Sequence, residues 1–309
     1  MIAAPAPAGG EPVPARRLTL RVADITTQVI GDDSAPGLTV TGTSSRFLVP
    51  PGDPGYIDEP DVITHVRRAP HLDQPTGDML FDSGGTWRMY RQQDDFVFSF
   101  VSSAFGAAPY RLARFDPSFT RGTISFNGAF FPDSASLVPL EFPLDELIMI
   151  NLLARGRGVE VHGCGVIDRD GTAYLFAGHS EAGKSTSARL WHREGATVLS
   201  DDRVVLRLRE DRVWMYGTPW HGEEEFGCPA SAPLARIFFL AHGRENSVRP
   251  AGGAGAAARL FTCCFPPFHD HAGLDFTLDL LGRIVDRVPC FELSFLPDPA
   301  VVSFVRSRP

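Results

Sequence analysis

At 309 residues, 43% of them hydrophobic and 21% charged, the chain has room for about two domains and can bury a full core without staples. Its net charge of −8 argues against broad nucleic-acid binding, which needs a basic face. The cysteines (Cys164, Cys228, Cys263, Cys264, Cys290) show no C-x-x-C spacing, and their odd count suits a reducing, cytoplasmic setting.

In chain order, residues 1–15 are rich in Ala and Pro and lack a basic segment ahead of an apolar run, so they read as a disordered tail and not a secretory signal. Residues 16–140 read as a β-rich N-terminal domain. Short alternating runs, such as Leu18 to Val22, Leu38 to Thr41, Thr86 to Tyr90, Phe96 to Phe100 and Gly122 to Phe126, are separated by Gly, Pro, Asp and Ser. Their aromatic residues read as core and cross-strand pairs. No residue there carries recognisable chemistry.

Residues 141–309 read as the second domain. Residues 143–156 predict a helix, with acids in the first turn, Arg155 in the last and Gly156 as the C-cap. It is apolar nearly all round, so burial between the two domains is expected. Residues 158–167 predict a strand pair or a bulged strand ending in a hairpin near Asp168. A buried strand at residues 173–177 follows. No run approaches about 18 apolar residues, so no membrane span is expected.

Gly178-His179-Ser180-Glu181-Ala182-Gly183-Lys184-Ser185 then fits G-x-x-x-x-G-K-[ST], a phosphate-binding loop, with Thr186 opening a helix behind it. Lys184 is the only lysine in the chain. A compact ammonium reaches into the β/γ-phosphates as a point charge, where a planar guanidinium fits poorly. The nucleotide-binding set is therefore Gly178, Ser180, Ala182, Gly183, Lys184, Ser185 and Thr186. A loop of this kind only binds. Phosphoryl transfer also needs a divalent metal on oxygen ligands and a group to take the acceptor's proton. Ser185 supplies one oxygen. Asp201 and Asp202, ending the next short strand, supply carboxylates at the sheet edge where ligands gather. One faces the metal and the other the incoming hydroxyl, with Asp201 favoured as base. His162 can orient an acid or share a proton, and it can equally be structural. His221 and Glu223 lie on a Gly/Pro-shaped loop that suits binding or solvent equally. A hairpin turning at Glu210-Asp211, a strand at 234–241, a small-residue loop running into a helix at 252–260, a helix at 274–286, a strand at 290–295 and a last helix after Asp298-Pro299 complete the chain.

The order His162-Gly163, then Gly183-Lys184-Ser185, then Asp201-Asp202 after one short helix resembles HPr kinase/phosphorylase, whose superfamily includes phosphoenolpyruvate carboxykinases. The resemblance covers about residues 160–242 and extends loosely to the C-terminus. The segments at 198–203 and 217–223 are most similar to proteins called lasso-peptide kinases or uncharacterised serine kinases. The fold so implied is an α/β (α+β) P-loop kinase core of HPr-kinase/phosphoenolpyruvate-carboxykinase type, preceded by a mostly β domain. The activity implied is transfer of the γ-phosphoryl group of ATP, with Mg²⁺, to a hydroxyl of a peptide, protein or small molecule, a peptide serine being the first candidate. The resemblance assigns catalysis to His162, Lys184, Asp201 and Asp202. Ser185 and Asp202 would hold the metal, with Glu223 facing the metal or the acceptor. It also implies assembly into homo-oligomers. Two departures matter. Residues 1–140 do not resemble the regulatory domain of bacterial HPr kinases, which argues against HPr as acceptor. Without a second lysine, carboxykinase chemistry cannot be assembled in the family's way. A nucleotide-binding module without turnover and a phosphorylase running the reverse reaction are the alternatives.

Overall fold

The computed structural model describes residues 14–53, 59–179 and 182–308; the expected tail up to residue 13, and Ser180 and Glu181 of the loop, lie outside them. No helix among the described residues is long and apolar enough to cross a membrane.

The architecture is mixed α/β, built on two large sheets. The first contains β1 (Arg17–Val22), β2 (Ile25–Gly31), β3 (Val62–Ala69), β4 (Asp78–Asp82), β5 (Trp87–Gln92), β6 (Asp95–Ser102), β7 (Gly106–Phe115) and β8 (Arg121–Asn127). Their order across the sheet is β1-β2-β3-β8-β7-β6-β5-β4. β3 pairs parallel with β2 and β8; the other ladders are antiparallel. The β1–β2 hairpin turns through Ala23 and Asp24 at φ 51° and 55°, the two left-handed residues that match the strand twist. The predicted aromatic core is present: Phe98, Phe100, Phe115, Phe119 and Phe126 are all buried.

The predicted strand at 38–41 is not a strand. Leu38 makes isolated bridges to Ala15 and Leu137, and the chain then enters a 3₁₀ helix at Gly42–Phe47. Leu38 and Val40 are both buried, so their alternation is met by plugging the core beside β1.

Helix α1 (Leu144–Leu153) is buried along Leu144, Ile148, Met149, Leu152 and Leu153, and these side chains join the core of the first sheet. Val205, Tyr216 and Trp220 from the second half of the chain enter that same core. The all-round apolar helix thus serves both halves, as its pattern requires.

The second sheet holds β9 (Val159–Ile167), β10 (Ala173–Ala177), β11 (Thr197–Ser200), β12 (Arg203–Arg209), β13 (Arg212–Tyr216), β14 (Ser231–His242), β15 (Ser247–Ala251) and β16 (Cys290–Phe295). β9 is one continuous strand with two sets of partners. Its first half pairs with β12 up to His162, and its second half pairs with β10 from Gly163. β14 pairs antiparallel with β13 and then parallel with both β10 and β16. The missed strand β15 is a sheet edge, where Pro250 is tolerated because no neighbour needs its N–H.

Helices cover both faces of this sheet. α2 (Lys184–Arg193) and α5 (Ala300–Arg306) pack Leu190, Trp191, Val302 and Val305 against Tyr174, Phe176 and Phe238. α3 (Gly253–Phe261) and α4 (His271–Arg287) pack Leu260, Leu281 and Ile284 against Leu175, Ile237 and Phe239. The period-2 alternation of β10 and β14 divides their side chains between these layers. The small-residue stretch expected to begin as a loop is helical from Gly253. α4 begins three residues before the predicted start, capped by Asp270 Oδ1, which accepts from Gly273 N–H at 3.1 Å.

Candidate functional site

β10 ends at Ala177, the chain passes Gly178 and His179, and it re-enters the described residues at Ala182 just before α2. Strand, short turn and helix is the geometry that turns free N–H groups of a first helical turn toward an anion. Gly183 precedes the helix at φ 103°, and a Cβ there would meet the Phe295 ring at 2.7 Å. Only glycine satisfies both conditions.

Lys184 is 6% exposed. Its Nζ donates to Gly178 O at 3.2 Å and His179 O at 2.8 Å, so the side chain folds over its own loop. Burial pulls the ammonium below its ordinary pKa, and the Asp202 carboxylate acts against that shift. Ala182, Ser185 and Thr186 are half-buried around it. Ser185 Oγ makes no hydrogen bond among the described residues, whereas Thr186 Oγ1 accepts from Arg189 Nη2 at 3.3 Å.

The two aspartates have different surroundings. Asp201 is 1% exposed; its Oδ1 accepts from Gly222 N–H at 3.0 Å and its Oδ2 from Glu224 N–H at 3.1 Å. It shapes the loop at 217–224. Gly222 is required there, because a Cβ would stand 2.8 Å from Asp201 Oδ2. Asp202 faces the other way. Its Oδ1 is 2.9 Å from His162 Nε2, and its Oδ2 accepts from Arg203 Nη1. Burial would raise the Asp202 carboxyl, but the His162 hydrogen bond and the charges of Arg203 and Lys184 outweigh it and hold the group below its ordinary range.

His162 stands where β9 changes partners. His162 N–H donates to Cys263 O at 2.6 Å, and Gly163 N–H donates to Asp202 O at 2.8 Å. The partner switch therefore pins the backbone of both residues and brings their side chains together. Glu223 is exposed and makes no hydrogen bond or ion pair among the described residues; its neighbour Glu224 is instead paired with Arg189 of α2 at 2.9 Å. His221 Nδ1 lies 2.8 Å from Gly222 O.

Several residues of this site went unnoticed in the sequence. Ser200 Oγ donates to Trp220 O at 2.9 Å and accepts from the N–H groups of Asp202 and Arg203 at 3.2 and 3.1 Å. It locks the acid pair to the 217–224 loop. Arg203 is ion-paired with Asp202 and with Glu146 of α1, and its Nε lies 3.6 Å from Glu160 Oε1 of β9. Glu160 is fully buried, and among the described residues neither of its oxygens has a well-formed hydrogen bond. Burial first, then the Glu146 carboxylate, raises the Glu160 carboxyl well above its ordinary range. A lone acid among the valines of Val159-Glu160-Val161 was the available signal.

Among the described residues no group of three or more His, Cys, Asp or Glu side chains is placed to cage a metal. Ser185 Oγ, which makes no hydrogen bond among the described residues, suits a hard cation that takes most of its shell from phosphate and water, whereas both Asp202 oxygens are already engaged.

No family model and no curated protein matches the sequence. Among solved structures, the chain is similar to the Hpr(Ser) kinase/phosphatase from Coxiella burnetii, with 13% identity and a TM-score of 0.30, over 48% of this chain and 93% of that one. A likeness this slight carries no argument about function, which rests on the loop, the lysine and the acids themselves.

Proposed function

We propose that the protein is a Mg·ATP-dependent kinase that transfers the γ-phosphoryl group to a hydroxyl, first of all a serine of a peptide or protein. The supporting observation is the grouping of the chain's single lysine, at the start of α2, with a carboxylate whose charge acts on it and a histidine bonded to that carboxylate. N–H groups at Gly183 to Thr186 bind the phosphates, and Lys184 releases its carbonyl partners to meet the β/γ-oxygens. Mg²⁺, when bound, would neutralise charge on the phosphate oxygens, with Ser185 as its protein donor and water for most of the remaining shell.

Asp201, favoured from sequence as the base, is 1% exposed and held by backbone N–H groups of the 217–224 loop, whereas the Asp202 side chain is 20% exposed and its oxygens meet the side chains of His162 and Arg203. We therefore assign the acceptor's proton to Asp202, with His162 orienting that carboxylate, and assign Asp201 to holding the acceptor-side loop. A carboxylate below its ordinary pKa is a weak base, but a loose phosphoryl-transfer transition state asks mainly for positioning and charge. Glu223, exposed on the loop that Asp201 anchors, is free to meet the metal or the acceptor.

Lys184→Ala should lower transfer from γ-labelled ATP on the order of 10³-fold if electrostatic stabilisation dominates. Asp202→Asn should abolish labelling while calorimetry still detects Mg·ATP binding. Near-full transfer by the lysine variant would defeat the assignment. Nucleotide binding with no acceptor labelled by the wild-type chain would favour a module without turnover.

A further inference from the structure

A cavity of about 370 Å³ opens beside this site, walled by Thr41, Ser44, Leu140, Phe142, Arg203 and Trp220. We propose that it is the subsite that seats an apolar or aromatic side chain next to the accepting serine of a peptide. This deepens the kinase reading and rests on it.

Arg203, one wall, is ion-paired with Asp202, so an occupant lies one side chain away from the carboxylate assigned to the acceptor. Trp220, another wall, sits on the loop that Ser200 and Asp201 tie to the end of β11. The occupant and the reacting acid are thus held by one hydrogen-bonded unit.

Pockets that bind small groups are concave and mostly apolar, with a few directed polar groups. Leu140, Phe142 and Trp220 supply the apolar surface here, Thr41 and Ser44 supply hydroxyls, and Glu141, Asp145 and His221 also line the cavity; Asp145 is hydrogen-bonded to Trp220 Nε1. Arg203 is already opposed by Glu146 and Asp202, so it has no free charge to select an acidic side chain. Phe142 is 55% exposed, one of three phenylalanines so open among the described residues, and the one that lines this cavity. A ring left at the rim of a cavity can close over an apolar guest.

A cavity of about 400 Å³ on the first sheet competes poorly. Its arginines are committed, Arg67 to Ser125 and Arg114 to Asp95 and Gln92, and none of the proposed catalytic residues lines it. The 370 Å³ cavity also explains what residues 41–44 and 138–142 contribute to a site whose reacting groups all come from the second half.

The test uses the full chain and serine-centred octapeptides with Phe or Ala beside the serine. Tryptophan fluorescence should change saturably with the Phe peptide, without nucleotide, through Trp220. Phe142→Ala should weaken that binding about tenfold, the loss expected for a truncated aromatic anchor. Thr41→Trp, which fills the cavity from an exposed residue making no side-chain cap, should weaken it similarly. Mg·ATP affinity should be unchanged in both variants, and the Ala peptide should bind less tightly to the wild type. Absence of a saturable change, or equal affinities across the variants and peptides, would overturn the subsite and leave the kinase reading standing. Peptide binding as described, with no Mg·ATP bound, would sink the kinase reading and leave a peptide pocket.

Discussion

Glu160 shows how much a single residue can matter when its charge has nowhere to go. It sits in an apolar strand, close to the Glu146 carboxylate and to an arginine already shared with Asp202. Its raised pKa means that the folded chain holds a proton that the unfolded chain releases near the ordinary glutamate value of about 4.3. Between those two values the native state binds more protons, so this residue lowers stability as pH rises through the window. Glu160→Gln keeps the shape of the neutral acid and removes the titration. The variant should therefore match the wild type near pH 4 and exceed it at pH 7 in urea unfolding. A variant less stable at neutral pH would show that Glu160 is ionised and stabilised by Arg203.

Among the elements, the short helix α5 is held by its buried valines and by Arg306, which is ion-paired with Asp168 and Glu194. Arg306 Nε and Nη2 donate to Asp168 Oδ2 and Oδ1 at 2.8 and 2.7 Å, fastening the helix to the turn between β9 and β10. Asp168 is 7% exposed, and the Arg306 hydrogen bond leads the effects that hold its carboxyl below the ordinary value. A depressed aspartate contributes stability fully above its unfolded pKa of about 3.9, and the contribution is lost as pH falls through the lower folded value. Arg306→Lys keeps the charge but not the two-pronged geometry. It should cost about 1–2 kcal/mol, in the range of charged hydrogen bonds after allowing for the partial exposure of Arg306. Comparing Asp168→Asn with the wild type should show the difference in denaturant midpoint shrinking as pH is lowered past the folded pKa. A constant difference would mean that the pair is not ionic.

At the scale of the molecule, the two sheets share a core, because Val205, Tyr216 and Trp220 pack with α1 and the first sheet. Trp220 Nε1 also donates to Asp145 Oδ2 at 2.9 Å, and burial raises that carboxyl to about 7. Arg46 reaches the same loop by donating to Gly227 O at 3.0 Å. Contacts of this kind predict one cooperative unfolding transition with coincident fluorescence and circular dichroism. Trp220→Ala should cost about 3–5 kcal/mol and separate the transition into two. Two resolved transitions in the wild type would show that the shared core is too weak to couple the halves.

What was readable without coordinates is local. The strand–loop–helix around Lys184, the β12–β13 turn and β16 follow from motif, turn residues and period-2 alternation, all of which act over a few neighbouring residues. So does the β character of the first half. The strand mistaken at 38–41 shows the limit of that reasoning: alternation reports burial, and burial can be met without a ladder. The division of labour between Asp201 and Asp202 lay beyond the sequence, since it depends on which backbone N–H groups the 217–224 loop presents. Ser200, Glu146, Glu160 and Arg203 are brought together by a strand that changes partners at His162 and by a helix about 50 residues before Ser200 along the chain. Only the closed tertiary structure sets those meetings, because charge and hydrogen bonding act through space over a few ångströms and take no account of separation along the chain.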